Sequence, residues 1–450
     1  MKKLLASLPL LLSLSLLGLA SKAQAAPQIQ SWTLANGVRV LLVENHAIPM
    51  LDMRVDFDAG ARRDTPGKSG LASLTLGLLS SGVAATKDGI DANGAAQPAL
   101  SEAQILDGFA DIAAQPQSSL DSDRADIGLR TLSAATERDA AVTLLARMLA
   151  QSSLPIALFE RDRTLQIAAV REAQTRPAYI AAQAFMARLY GTHPYGQSPS
   201  VASLEAISHA DVQTFYRSHY VARNAVVSLV GDVTKAQADA IAQQLTRNLP
   251  QGDALPAMPE VPPAAASEQQ IPHPASQAHI LIGAPALVRG DPDFFALLVG
   301  NHILGGGGLV SRLSEEVREK RALTYGISSG FSGMKQAGPF QIKVQTKKEQ
   351  TAQALQVTRD TLAKFLRDGP SEAEMQAAKD NLIGGFPLNI DTNGKLLQLV
   401  TLIGYYGLPL DYADTWTANV ARVTRADVLQ AFRRKLDAGR MSTVVVGGTL

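Results

Sequence analysis

Hydrophobic and polar positions along this chain change period repeatedly, and each change predicts an element. Residues 32–44, WTLANGVRVLLVE, set two apolar runs around Asn36-Gly37, a dipeptide that predicts a tight hairpin turn with positive φ. Met53, Val55 and Phe57 then alternate with charged neighbours, the period of a half-buried strand. A loop at 60–70 leads into an apolar helix at 71–79, and helices at 101–114 and 140–151 flank a strand at 125–132. The helical tract at 159–190 breaks at Arg176-Pro177, because a residue before proline is held out of the helical region.

The stretch 304–330 carries three patterns in succession. Gly305, Gly306, Gly307 and Gly308 form a loop that is either a backbone surface for an approaching peptide or a plain turn. Leu309, Leu313 and Val317 recur every four residues, predicting a helix with Arg312, Glu316 and Lys320 on its wetter face. Leu323, Tyr325 and Ile327 alternate with Thr324, Gly326 and Ser328, predicting a strand. Arg318 near the helix end and Tyr325 at the strand start are then expected to share one concavity.

One unit occurs twice. A helix beginning at Asp211-Val212 runs into a strand ending at Gly231, and a second beginning at Asp427-Val428 into one ending at Gly447. Both displacements are equal (427 − 211 = 216 and 447 − 231 = 216), the mark of a duplicated domain. Between the copies, 249–276 is rich in proline and small residues and reads as an extended, poorly packed linker. The expected architecture is α+β: an N-terminal domain at 26–248, the linker, and a homologous domain at 277–450, each a sheet with helices.

Composition narrows the classes. A hydrophobic fraction of 46% over 450 residues supports full cores, and a net charge of +1 gives no basic footprint for nucleic acid or an anionic membrane. Residues 1–25 read as a signal peptide, with Lys2 and Lys3 before an apolar run and Ala23-Gln24-Ala25 as the cleavage site. No later run is long and apolar enough to span a bilayer. With 0 cysteines there is no disulfide framework, and a periplasmic protein free of the membrane after signal removal is expected. Gly67-Lys68-Ser69 imitates a phosphate loop but lacks its upstream glycine, since position 62 is Arg.

The segment SRLSEEVREKRALTYGISSGF, with His193-Pro194-Tyr195-Gly196 earlier in the chain, resembles the pitrilysin/insulinase family of zinc peptidases, the inverzincins. The resemblance implies two similar domains in a clam-shell, each with a mainly antiparallel sheet covered by helices. It also implies that Arg318 and Tyr325 contact a substrate peptide. The family binds zinc through HxxEH on a helix, where two histidines one turn apart hold the metal and a glutamate takes a proton from its water. Set on that frame, the positions hold Ser73, Leu76 and Gly77, and the third ligand, a Glu on a later helix, falls near Ala169. Of the 7 histidines, no two stand three or four apart. No metal or other cofactor is therefore expected in this chain.

The expected function is that of the non-zinc subunit of a heterodimeric metallo-endopeptidase, resembling the degenerate subunit of mitochondrial processing peptidase. The chain is expected to be inactive alone. A homologous HxxEH-bearing subunit would hold zinc, while Arg318 and Tyr325 bind peptide and stabilise its transition state, with Gly305 to Gly308 along the substrate. The alternative is a non-catalytic peptide-binding or assembly protein of the same fold. Singly, Arg318 also reads as a surface arginine paired with Glu315, and Tyr325 as a half-buried strand aromatic. An independent serine hydrolase lacks a nucleophile elbow.

Overall fold

The computed structural model describes residues 28–86, 97–263 and 265–448. The signal-peptide reading of 1–25 lies outside the described residues. In the first half the strands are β1 (Gln30–Thr33), β2 (Arg39–Glu44), β3 (Met50–Phe57), the short pair β4 (Gly82–Val83) and β5 (Leu100–Ser101), β6 (Gln115–Leu120), β7 (Ala125–Leu132) and β8 (Ala225–Gly231). Its helices are α1 (Leu71–Leu78), α2 (Glu102–Asp111), α3 (Ala135–Gln151), α4 (Ile156–Ala173), α5 (Pro177–Tyr190), α6 (Val201–Glu205), α7 (His209–His219) and α8 (Lys235–Thr246). The second half has β9 (Ser267–Ile271), β10 (Gln277–Leu287), β11 (Thr324–Phe331), β12 (Gly338–Lys347) and β13 (Ser442–Val446). Its helices are α9 (Phe294–Asn301), α10 (Thr351–Asp368), α11 (Glu372–Gly385), α12 (Asn393–Tyr406), α13 (Tyr412–Arg422) and α14 (Arg425–Lys435).

The two sheets repeat one topology. The first runs β1-β2-β8-β3-β7-β6 and the second β9-β13-β10-β12-β11. Among the described residues each sheet has one parallel strand pair, β2 with β8 and β9 with β13, formed with the last strand of its half, and the other neighbours are antiparallel. Strand β1 is an addition to the first. The repeat extends to local chemistry: α7 and α14 start at His209 and Arg425 (425 − 209 = 216), and capping boxes at Ser208 and Thr424 hold their first turns with Asp211 and Asp427. The expected α+β fold with two sheet-plus-helix regions is present.

Each half lends a helix to the other. Helix α12 lays Leu396, Leu397, Val400 and Ile403 on Leu41 and Val43 of β2 and Val230 of β8. Helix α5 lays Ala181, Phe185 and Leu189 on Leu281 of β10 and Val444 and Val446 of β13. These helices also stand 216 residues apart (393 − 177 = 216). Burial of each of the leucine, isoleucine, valine and phenylalanine side chains stabilises by about 1.5–3 kcal/mol, so the exchange joins the halves through two apolar clusters.

Two local expectations need correction. The β1–β2 connection is wider than a two-residue turn: Leu34 and Val38 close it, and only Gly37 has positive φ, at 85°. The 249–276 segment is not a poorly packed linker throughout, because its residues Ser267–Ile271 form β9 against β13. Upstream, its carbonyls at Pro256, Met258 and Pro259 accept hydrogen bonds from Arg63, Gln336 and His193.

Candidate functional site

The predicted regular helix at 309–320 does not form. After α9 the chain makes a π-helical turn at His302–Gly306, a 3-10 turn at Gly308–Val310 and a second π-helical turn at Ser314–Glu319 before entering β11. Gly308 stands at φ 66°, Ser311 closes the 3-10 turn by donating its Oγ hydrogen to the Gly308 carbonyl at 2.7 Å, and its own carbonyl accepts from the Glu315 nitrogen at 2.9 Å to start the next turn. Leu313 and Val317 therefore reach the core, whereas Leu309 is 61% and Val310 86% exposed. Arg312 is not on a wet face: it is half-buried, with Nε 2.6 Å from Glu374 and Nη2 on the Gly369 carbonyl at 3.0 Å. The Arg312 guanidinium holds the Glu374 carboxyl down at about 2.

The four glycines divide by their surroundings. Gly305 is buried, and a Cβ on it would lie 2.5 Å from Ser329 Oγ and 2.7 Å from the Ser329 nitrogen, so this position holds the turn against β11. A Cβ on Gly306 or Gly307 would crowd Asn301 or His302, while Gly308 has open space. Only Gly306 and Gly308 of the four are well exposed.

Tyr325 departs from the predicted alternation. Thr324 pairs with Thr346 and Gly326 with Gln345, so Tyr325 is an extra residue in the register, a β-bulge. The bulge leaves Leu323, Thr324 and Ile327 inside and turns Tyr325 outward at 79% exposure. Thr324 pins it, its Oγ1 donating within 2.8 Å of the Gly326 carbonyl and accepting from the Gly326 nitrogen at 3.0 Å. Behind it, Thr346 Oγ1 donates to the Leu323 carbonyl at 2.5 Å. Tyr325 is thus not a half-buried strand aromatic.

Arg318 and Tyr325 line one open cleft of about 370 Å³ with Gln277, Glu319, Thr346 and Lys347. Arg318 does not pair with Glu315, which holds Lys320 at 2.8 Å; its Nε is 3.4 Å from Glu319 instead, and the side chain stays partly exposed. The cleft offers a cation and a phenol on one wall, the phenol exposed and the guanidinium partly exposed beside Glu319. The period-two pattern missed the bulge, although Gly326 after Tyr325 is the signal that a strand reading gives for one.

The zinc frame on α1 does not fit a metal. Ser73 is half-buried and its Oγ accepts from Gln166 Nε2 of α4 at 3.3 Å, Leu76 is an apolar core side chain, and Gly77 has no side chain. Gln166, not Ala169, is the α4 residue that reaches the first ligand position; Ala169 is exposed. Glu160 and Glu172 pair with Arg163 and Arg176 on the surface. Among the described residues no group of three His, Cys, Asp or Glu is placed to hold a metal ion. Helix α1 is held instead by Asp64, whose carboxylate accepts the Gly70 and Ala72 N–H groups at 2.7 Å each.

Comparison with known proteins supplies an independent line. The profile of the family described as Peptidase M16 inactive domain matches residues 206–382. A crystal structure of a peptidase M16 inactive domain from Pseudomonas fluorescens is 34% identical, with a TM-score of 0.87, over 94% of this chain and 98% of that one. An uncharacterized zinc protease of Streptomyces coelicolor is 29% identical over 275 residues, and the chain spans 59% of that relative's length. A protein of Helicobacter pylori described as a non-peptidase homolog is 25% identical over 91% of both chains.

Proposed function

We propose a function from one premise: the chain belongs to the peptidase M16 (pitrilysin) family, as a domain of its inactive, non-zinc-binding kind. It acts as the non-zinc subunit of a heterodimeric metallo-endopeptidase. A homologous subunit carrying HxxEH holds the zinc, and this chain presents Arg318 and Tyr325 to the peptide cut there. Hydrolysis builds negative charge on the scissile carbonyl oxygen, and a phenol O–H or guanidinium aimed at that oxygen stabilises it. The planar guanidinium of Arg318 presents several N–H donors in a fixed fork, which suits it to hold a carbonyl before and during the reaction. Gly306 and Gly308 offer exposed backbone to the same peptide.

The observation that carries this reading is the bulge at Tyr325. It turns the phenol, 79% exposed, out of the strand into the cleft that the partly exposed Arg318 also lines. Export to a periplasm by way of residues 1–25 belongs to the same proposal.

The test is a quenched-peptide assay on this chain alone, on an HxxEH-bearing homologue from the same genome, and on their mixture, with and without chelator. Cleavage that is chelator-sensitive and needs both chains is expected. Tyr325→Phe in the mixture lowers turnover about 100- to 1000-fold, the usual effect of losing one oxyanion donor. The exposed hydroxyl contributes little to folding, so stability shifts by less than about 0.5 kcal/mol. Unchanged turnover overturns the donor role.

A second reading, a peptide-binding or assembly protein without catalysis, is favoured by the likeness to the Helicobacter pylori non-peptidase homolog. Peptide binding with no cleavage in any mixture selects it.

A further inference from the structure

The two sheets are copies, yet the faces under the exchanged helices differ in charge. On the first sheet that face carries Asp52, Arg54 and Asp56 of β3 with Asp126 and Arg130 of β7. The cations of β3, β7 and the turn before β7 each meet a carboxylate: Arg130 with Asp52 at 2.9 Å, Arg54 with Asp126 at 3.2 Å and Arg124 with Asp56 at 2.8 Å, while Arg39 of β2 is held by the Gly404 carbonyl of α12 at 3.4 Å. On the second sheet, α5 packs on β10 and β13 and reaches Ile271 and Gln269 of β9, while β11 and β12 carry exposed positions on the same face.

The register fixes what lies on that face. Gly326, Ser328 and Gly330 of β11 stand opposite Gln345, Lys343 and Gln341 of β12, and Lys347 stands opposite Gln277 of β10. A Cβ on Gly326 or Gly330 would meet no atom within 4 Å, so the β11 side of the floor is unobstructed. Lys343 and Lys347 are exposed on one side of one strand, and among the described residues neither side chain makes an ion pair or hydrogen bond. Lys347 also lines the cleft with Arg318 and Tyr325, where the one acidic side chain is Glu319.

We infer that this trough selects acidic peptides: an extended segment lies over β11 and β12 with carboxylates on Lys343 and Lys347 before it reaches the Arg318–Tyr325 cleft. Strand geometry sets the spacing. Four residues of β12 span roughly 13 Å, which an extended peptide matches with acidic side chains four residues apart. Charge complementarity names the occupant, since two like charges facing open solvent on a flat floor gain from an anion and lose from a cation. The inference rests on the peptide-holding part of the function proposed above and not on its chemistry.

Fluorescence anisotropy of the intact chain tests it, with labelled nonapeptides carrying Glu at positions 3 and 7, or Gln or Lys in their place. The Glu peptide is expected to bind about 2- to 30-fold more tightly than the Gln peptide, the range that two solvent-exposed ion pairs support. The preference falls toward unity in K343Q/K347Q and at 0.5 M salt, as screening requires. Equal affinity for the Glu and Gln peptides, or a preference that survives the double substitution, overturns it. Far-UV circular dichroism verifies that the variant folds. If the charge preference holds but no mixture cleaves, the proposed chemistry fails and the trough stands; if the mixture cleaves without charge preference, the reverse holds.

Discussion

Substitution of Asp123 by Ala tests how the halves are joined. Asp123 sits in the turn between β6 and β7, 1% exposed, and gathers groups from both halves. Its Oδ1 accepts from Tyr195 Oη at 2.5 Å, and its Oδ2 from the Lys335 nitrogen at 2.7 Å and Tyr406 Oη at 2.8 Å. Arg62 Nε lies 3.1 Å from Oδ1 at an oblique approach, a charge contact without a hydrogen bond. Burial, reinforced by the Asp123 carboxylate, pushes the Tyr195 and Tyr406 phenols well above the usual range, so both remain donors. Asp123→Ala removes the acceptor of the buried Tyr195 hydroxyl, of the half-buried Tyr406 hydroxyl and of the Lys335 nitrogen, and takes one of two carboxylates from Arg62, which keeps Asp58 at 2.7 Å. Each orphaned donor costs about 1–3 kcal/mol, and because Arg62 keeps Asp58 and water reaches the less buried groups, the total is about 4 kcal/mol. With an m of about 3 kcal/mol/M, the urea midpoint falls by about 1.3 M. Tyr406→Phe, which removes one donor and orphans no other, costs about 1 kcal/mol. Urea unfolding followed by circular dichroism measures both. A midpoint shift below about 0.3 M for Asp123→Ala refutes the view that this carboxylate clamps the halves.

Gly305→Ala puts a methyl against the Ser329 backbone and lowers unfolding stability by about 1–3 kcal/mol, read from the same urea curves. His46 is bound by Asp232 at 2.7 Å and flanked by Glu44, and the Asp232 hydrogen bond raises its pKa above 6.5. The charged ring therefore supports the fold fully below pH 6.5, and this support fades as pH rises through the raised folded value. Proton NMR titration of the ring, with a midpoint that drops in Asp232→Asn, is the check. Restoring ligands with Ser73→His, Gly77→His and Gln166→Glu sets two histidines one turn apart opposite a carboxylate, and elemental analysis after gel filtration is expected to find about one zinc per chain against none in the parent. A folded triple variant without zinc shows that α1 and α4 no longer frame the site.

The duplication was legible because α7 and α14 carry the same capping boxes and the same strand after them, both local signals. The exchange of α5 and α12 was not: an apolar helix looks the same whether it covers its own sheet or its neighbour's. The break at Arg176-Pro177 was read correctly because proline acts on its own neighbour, and α5 starts at Pro177. At the cleft the sequence located Arg318 and Tyr325 on consecutive elements but mistook their setting. A strict period of two groups Tyr325 with Leu323 and Ile327, and a bulge inserts one residue that the period does not contain. The π-helical turns were missed for a similar reason, since a four-residue spacing of Leu309, Leu313 and Val317 assumes an unbroken helix. Asp123 was missed because an aspartate in a turn reads as solvent-facing, and only the arrival of Tyr195, Lys335 and Tyr406 from distant segments buries it.

The two candidate sites differ in what the fold asks of them. Helix α1 needs no metal ligand: Leu71, Ala72, Leu74 and Leu78 fill the core and Asp64 holds its N-terminus, so Ser73 and Gly77 occupy the ligand positions at no cost to packing. The Arg318–Tyr325 wall is costly by comparison. It requires two π-helical turns, Ala322 at φ 52° where a Cβ is strained by about 1–2 kcal/mol, a bulge, and a tyrosine left in water. Thr324, Thr346 and Asn301 hold that geometry in place, Asn301 through Ser329 at 2.7 Å. A monomer selected for its own stability gains nothing from turning an aromatic outward on a bulge. Strain maintained at that wall, in a chain whose α1 frame packs as an ordinary helix, supports a role for Tyr325 that lies in what binds against this chain.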